Sequence, residues 1–264
     1  MYDFAYHKPV SLDDAAKQIS GAENRLLAGG MSLIPSLKLR LNRYAALVDL
    51  GAVPELKGIR RDGNVLVIGA MTPHAEVAAS AVVKLALPAM AALAEGIGDP
   101  LVRNRGTLGG SIANADPAAD YPAAVVGLGA TIVTNRRSIK ADDFFTGVFE
   151  TALAREEIVM AVRFPIPQCA AYTKLRQAAS RFAIVGVFAA QTVDGIRIAV
   201  TGAAPSVFRF SKAEVALSLH FEPAALDGIQ LDAEGLNSDI HASNLYRAHA
   251  VVELTKRAVA AALP

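Results

Sequence analysis

Two glycine-rich stretches constrain this chain more than any other feature: Ala28-Gly29-Gly30-Met31-Ser32 and, far downstream, Arg103-Asn104-Arg105-Gly106-Thr107-Leu108-Gly109-Gly110-Ser111-Ile112-Ala113-Asn114-Ala115-Asp116-Pro117. Backbone N–H groups can approach an anion closely where no Cβ intervenes. After the first stretch, Ser32 can cap a helix running to about Arg40, with Pro35 in its first turn. The positive end of such a helix would face the same anion. The second stretch adds the hydroxyls of Thr107 and Ser111. Charge-assisted hydrogen bonds contribute about 1.5–3 kcal/mol each, so several would hold a diphosphate without a lysine. Together the two stretches read as a clamp on one extended, phosphate-bearing ligand. Asp116 and Asp120 would repel phosphate, which leaves two readings open. They accept bonds from sugar or ribitol hydroxyls, or Asp116-Pro117 caps the next helix.

The common nucleotide fingerprints are absent. Met31-Ser32 follows Gly30 where a P-loop needs its lysine, and no G-x-G-x-x-G links a strand to a helix with an acidic residue further on. This disfavours a P-loop NTPase and a Rossmann dehydrogenase. With 26 basic and 25 acidic residues the net charge is +1, no footprint for nucleic acid. Arg60-Arg61 and the cluster Arg136, Arg137 and Lys140 read as solvated hairpin tips. The single cysteine, Cys169, excludes an internal disulfide and a cluster held by several thiolates of this chain. His7, His74, His220, His241 and His249 form no close pair, so no protein-bound metal is expected. Hydrophobic residues make up 53% of the chain, but the longest near-apolar run, 123–133, is too short to span a bilayer. Met1-Tyr2-Asp3-Phe4 shows no signal-peptide pattern, so a cytoplasmic location is expected.

The organisation is α+β. Residues 1 to about 50 alternate helix (Leu12 to Ile19, capped by Ser11), strand (Arg25 to Ala28), helix and strand (Ala46 to Leu50), a small βαβ-like unit. Leu56 to Arg60 and Val65 to Ile68 flank the turn Asp62-Gly63-Asn64. Thr72-Pro73 is expected to open a helix with proline at its first position. A further helix spans Val82 to Ala94, bent or restarted at Pro88, and an irregular loop follows through Gly96, Gly98 and Pro100. Pro117 to Leu128 reads as an apolar helix, and Ala130 to Thr134 and Ser138 to Lys140 as a hairpin. Ile158 to Phe164 is a strand stopped by Pro165-Ile166-Pro167, the candidate domain boundary. Beyond it lie a three-stranded antiparallel meander (Tyr172 to Gln177, Ala183 to Val193, Ile196 to Ala203) and helices Ser211 to Leu219 and Ser243 to Leu263. The last carries an apolar stripe, Leu245, Ala248, Val252, Leu254, Val259 and Leu263, expected to cover the small sheet.

The run Ala28 to Pro35, with Ile97 to Gly110, resembles the FAD-binding medium subunit of the molybdenum hydroxylases, of the carbon monoxide dehydrogenase and xanthine dehydrogenase type. The likeness runs nearly end to end, because Glu157 to Pro165 and Lys174 to Val187 follow in the family's order. It implies a two-subdomain FAD domain of the vanillyl-alcohol oxidase (PCMH) type over 1–166, divided near 54, and a small C-terminal α+β domain over 167–264. It implies that Ala28, Gly29, Gly30, Met31, Ser32 and Leu33, with Thr107, Gly109, Gly110 and Ser111, bind the FAD diphosphate chiefly through backbone, and that Asn114 and Asp116 belong to the same site. Ile97 would lie by the adenine, Asp120 would accept from ribityl or ribose hydroxyls, and Val159 and Lys174 would approach the flavin ring. Two departures stand out. Met31 replaces a usual polar residue, and Arg181-Phe182 stands where many relatives carry an acidic residue before an aromatic.

The resemblance also implies partners: a small subunit with 2Fe-2S clusters and a large molybdopterin subunit, in a heterotrimer or its dimer. Electrons would reach FAD here and leave to NAD, oxygen or a quinone, with no side chain of this chain acting as general acid or base. The alternatives are a self-contained flavin oxidase acting on a small alcohol and a binding module that has lost FAD. The lack of a polar substrate cluster in the meander weighs against the first. The intact glycines and Asp120 weigh against the second.

Overall fold

The computed structural model describes residues 1–21 and 23–263. Ala22 and Pro264, which the expected segments 1–54 and 167–264 include, lie outside the described residues. The N-terminal unit is a three-stranded parallel sheet with Ala46–Asp49 at its centre, between Ala5–His7 and Asn24–Leu27. Ala5–His7 was not expected, since three residues carry too little periodicity to read. Helix Leu12–Ile19 is capped as expected, Ser11 accepting from the Asp14 N–H. It buries Ala15 and Ile19 with Leu50, Val53 and Leu56.

The central sheet is antiparallel throughout, in the order Ile59–Asp62, Val65–Gly69, Val159–Pro165, Thr131–Thr134, Ser138–Lys140. Both expected hairpins are present, and the strand Val159–Pro165 pairs between them. In the tip at Asn135 to Arg137 both arginines are solvent-exposed as expected, and they are also ion-paired. Glu157 accepts from Arg137 Nε and Nη2 (both 3.0 Å), Thr134 Oγ1 (2.7 Å) and the Ala154 N–H (2.9 Å). The Arg137 bonds lead in holding the Glu157 carboxyl down at about 2. Arg136 pairs with Glu156 at 2.8 Å.

Four short helices, His74–Ala79, Ala81–Ala86, Pro88–Glu95 and Pro100–Arg105, precede the second glycine stretch. Pro73 is the cap of the first, not its first residue, because Thr72 points away and donates to the Gly58 carbonyl at 3.3 Å. The expected helix over 82–94 restarts at Pro88, which has no N–H to continue the ladder. The expected irregular loop is partly helical. Asp99 caps the Val102 N–H at 2.9 Å and Pro100 occupies the first turn, which suffices to start a helix there.

Helix Tyr121–Gly127 is buried at all seven positions, as a helix without a polar face must be. It lies between the central sheet and a C-terminal sheet, and Gly127 lets the Phe188 ring approach; a Cβ there would stand 2.9 Å from it. Residues 117–120, expected within this helix, form a turn in which Asp116 Oδ1 accepts the Ala118 N–H at 2.9 Å. The C-terminal sheet has four strands rather than three: Cys169–Arg176, Ala183–Thr192, Gly195–Thr201 and the two-residue edge Phe208–Arg209. Two residues give no pattern to detect. Helix Asn244–Ala262, capped by Ser243 through the Tyr246 N–H, covers this sheet with Ala250, Val251, Leu254, Ala258 and Val259. Leu245 and Leu263 fall off the expected stripe; Leu245 is 73% exposed. No helix among the described residues is long and apolar enough to cross a membrane. No cluster of three or more His, Cys, Asp or Glu among them could hold a metal ion.

Candidate cofactor site

Strand Asn24–Leu27 delivers the chain to the first glycine stretch, and helix Leu33–Lys38 begins just after it. Gly30 has φ +75°, a left-handed turn that suits glycine. Across this turn the N–H groups of Gly29, Gly30, Met31, Ser32 and Leu33 donate to no group among the described residues. Ser32 does not cap the helix as expected: its backbone is already helical and its hydroxyl makes no capping bond. The open N–H groups at the helix start therefore remain available to an anion.

The second stretch is built differently. Thr107 is extended and caps helix Leu108–Asn114, so Gly109 and Gly110 lie in a helical first turn and not in a loop. Their donors are committed inside the fold. The Gly109 N–H reaches the Ala70 carbonyl at 2.8 Å, Gly110 the Thr107 hydroxyl at 3.1 Å and Ser111 the Thr107 carbonyl at 3.0 Å. The Leu108 N–H bonds to the Thr72 carbonyl at 3.1 Å. The Thr107 N–H, the Ser111 hydroxyl and the Asn114 amide lack partners among the described residues. Sequence alone could not foresee this, because Ala70 and Thr72 come from a separate segment.

The two stretches meet. A Cβ on Gly29 would overlap the Arg105 carbonyl oxygen, and one on Gly110 would stand 3.2 Å from the Ala28 Cβ. Beneath the junction the His74 side chain is buried, and its backbone N–H donates to the Gly106 carbonyl at 2.9 Å. Burial, helped by nearby Arg103, pulls the His74 imidazole down to about 4, so it is neutral at pH 7.

A second polar corner gathers Asp120, Lys174 and the loop at Gly96 to Gly98. Lys174 is not an exposed strand lysine: its side chain is 6% exposed, and that of Asp120 is 4%. The Lys174 ammonium donates to Asp120 Oδ1 (2.9 Å), the Gly96 carbonyl (2.9 Å) and the Arg181 carbonyl (3.1 Å). Tyr172 Oη donates to the same Asp120 oxygen at 2.5 Å. Burial pushes the Asp120 carboxyl up, and Lys174 and Tyr172 pull against that rise. Arg181, in a left-handed conformation at φ +62°, reaches the Gly98 carbonyl at 3.2 Å.

Ile97 is half-buried between these bonds, its carbonyl accepting from Arg103 Nη1 at 2.9 Å. Asp116 is half-buried, and burial raises its carboxyl against the opposing Ala118 N–H. Val159 is buried in the central sheet opposite Thr134. Met31 is 39% exposed. Sequence reasoning missed Tyr172, whose only signal is its place two residues before Lys174, on the same strand face.

The family described as FAD binding domain in molybdopterin dehydrogenase matches residues 2–167. The carbon monoxide dehydrogenase medium chain of Hydrogenophaga pseudoflava is 39% identical over 220 residues, 78% of this chain and 77% of that one. The nicotine 6-hydroxylase medium subunit of Paenarthrobacter nicotinovorans is 35% identical over 269 residues, 96% of this chain and 95% of its own. Among solved structures, a carbon monoxide dehydrogenase from Hydrogenophaga pseudoflava that lacks the Mo-pyranopterin moiety superposes with a TM-score of 0.89 at 34% identity, covering 99% of this chain and 97% of that one. With open N–H groups at a helix start, a second glycine stretch packed against them and these relatives, the chain belongs to the family of FAD-binding domains of molybdopterin dehydrogenases.

Proposed function

We propose that this chain is the FAD-binding electron-transfer subunit of a cytoplasmic molybdenum hydroxylase complex. Its partners are a small subunit with 2Fe-2S clusters and a large molybdopterin subunit, in a heterotrimer or its dimer. Bound FAD supplies the redox chemistry, carrying electrons from the clusters to an external acceptor. The observation that carries the reading is the row of open N–H groups from Gly29 to Leu33 beside Gly110. These residues hold the diphosphate, assisted by the Thr107 N–H and the Ser111 hydroxyl. Gly109 and Gly110 contribute by their lack of bulk.

Asn114, Asp116 and Asp120 face the polar part of the cofactor, Ile97 the adenine, and Val159 and Lys174 the flavin ring. The FAD domain occupies 1–166 as two PCMH-type subdomains, about 1–54 and 55–166, with the C-terminal domain over 167–264. The close packing of Tyr121–Gly127 against Phe188 supports a C-terminal domain fixed on the cofactor domain.

Purified protein should be yellow, absorbing near about 450 nm when FAD is bound. A colourless protein that takes up no added FAD refutes the reading. Co-purification should bring down a cysteine-rich small subunit and a large molybdenum subunit. Rapid oxidation of small alcohols by the isolated chain would instead establish a self-contained flavin oxidase.

A further inference from the structure

We propose that Tyr172 is a positioning residue for the cofactor site, fixing Asp120 through its hydroxyl in space that Gly186 leaves open. The inference rests on the reading that FAD binds this chain beside Asp120. Tyr172 and Lys174 lie two apart on strand Cys169–Arg176, so both side chains project from one face of the C-terminal sheet. That face meets the start of helix Tyr121–Gly127, where Asp120 stands. Tyr172 Oη and the Lys174 ammonium both bond to Asp120 Oδ1, at 2.5 and 2.9 Å. Oδ2 accepts no hydrogen bond from the described residues. An ionised carboxylate has acceptor sites on both oxygens, so one oxygen anchors the group and the other is left for a ligand hydroxyl.

Gly186 explains how the tyrosine fits. It sits inside strand Ala183–Thr192, directly opposite Lys174, among buried valines. Glycine weakens a strand interior and marks a close approach. Here a Cβ would overlap the Tyr172 hydroxyl and stand 2.9 Å from Thr201 Cγ2. The missing side chain is the room through which Tyr172 reaches Asp120. Packing alone does not account for the hydroxyl, since the ring lies tilted against Phe188 with centroids 6.3 Å apart, a contact phenylalanine would keep.

The test is FAD titration of the deflavinated full chain, followed by flavin fluorescence quenching, for wild type, Tyr172→Phe, Asp120→Asn, their double variant and Gly186→Ala. Tyr172→Phe should weaken binding about tenfold, the scale of one charge-assisted hydrogen bond. The double variant should bind no more weakly than Asp120→Asn alone, because Tyr172 acts through that carboxylate. A purely structural tyrosine would instead give additive losses. Gly186→Ala, which removes no hydrogen-bonding group, should reproduce the Tyr172→Phe loss. Full additivity, or wild-type affinity in both Tyr172→Phe and Gly186→Ala, overturns the proposal. If wild type itself takes up no FAD, the cofactor reading fails and the proposal falls with it.

Discussion

Gly29-Gly30 and Gly109-Gly110 are both glycine pairs at the start of a helix, and they meet one another, yet their backbones are used in opposite ways. Around the first pair the N–H groups from Gly29 to Leu33 bond to nothing among the described residues. Around the second, the donors of Leu108, Gly109, Gly110 and Ser111 are taken by Thr72, Ala70 and Thr107. The first pair offers donors; the second offers proximity. A glycine motif thus states that backbone can come close, and the neighbours decide whether that closeness serves a ligand or the fold.

The sharpest way to break this comparison is to force the stretches apart. Gly29→Val places a side chain on the Arg105 carbonyl and 2.8 Å from the Gly106 Cα. Backbone cannot yield as a side chain can, so FAD affinity should fall by at least about a hundredfold. Overpacking should also cost about 1–3 kcal/mol of stability, read from the ratio of flavin to protein absorbance and a thermal melt. Gly110→Leu should weaken FAD binding as well, with a smaller stability loss, because its nearest obstacle is the Thr107 hydroxyl at 2.8 Å. Wild-type affinity in Gly110→Leu would remove residues 107–111 from the site.

Acid should probe the base of the junction. The His74 imidazole is lowered from 6.5 to about 4 in the folded chain, so between those values the unfolded chain binds the extra proton. The stability this contributes is complete above pH 6.5 and is lost as pH falls toward about 4, amounting to about 3 kcal/mol. Urea unfolding at pH 7 and pH 4.5 should show that loss in wild type and a flatter profile in His74→Gln. The stability from Glu157, held down at about 2 from 4.5, is present at neutral pH and is lost only as pH falls below about 4.5.

Thr107→Val tests the committed donors. It removes the cap on the Gly110 N–H and should cost about 1 kcal/mol in denaturant unfolding. The smallest effect is expected at Met31, which is exposed and beside the open donors. If backbone holds the ligand, Met31→Ser should change FAD affinity by less than about threefold; a tenfold gain would show that side chains dominate.

Local elements were largely legible. Ser11 and Ser243 capped their helices, Asp62-Gly63-Asn64 made its hairpin, and Tyr121–Gly127 was apolar all round because it is buried all round. Ala5–His7 and Phe208–Arg209 went unread because two or three residues show little alternation, whereas the equally short Ser138–Lys140 was read from the turn beside it. The placement of Val159–Pro165 between two hairpins was also out of reach, since an alternating strand does not name its neighbours. For the candidate site, the glycines, Asp120 and Lys174 were named from the motifs and the family resemblance. Tyr172 and Gly186 were not, because each acquires meaning only from the other.

The sequence by itself determined where backbone could approach an anion, since the absence of a Cβ is a property of a residue and needs no partner. It also excluded thiolate clusters of this chain's own and the common nucleotide loops. Only the tertiary structure decided which N–H groups stay open and which carboxylate oxygen is held. Those outcomes depend on carbonyls, hydroxyls and an ammonium delivered from distant segments, and a hydrogen bond is settled by where its partner finally stands.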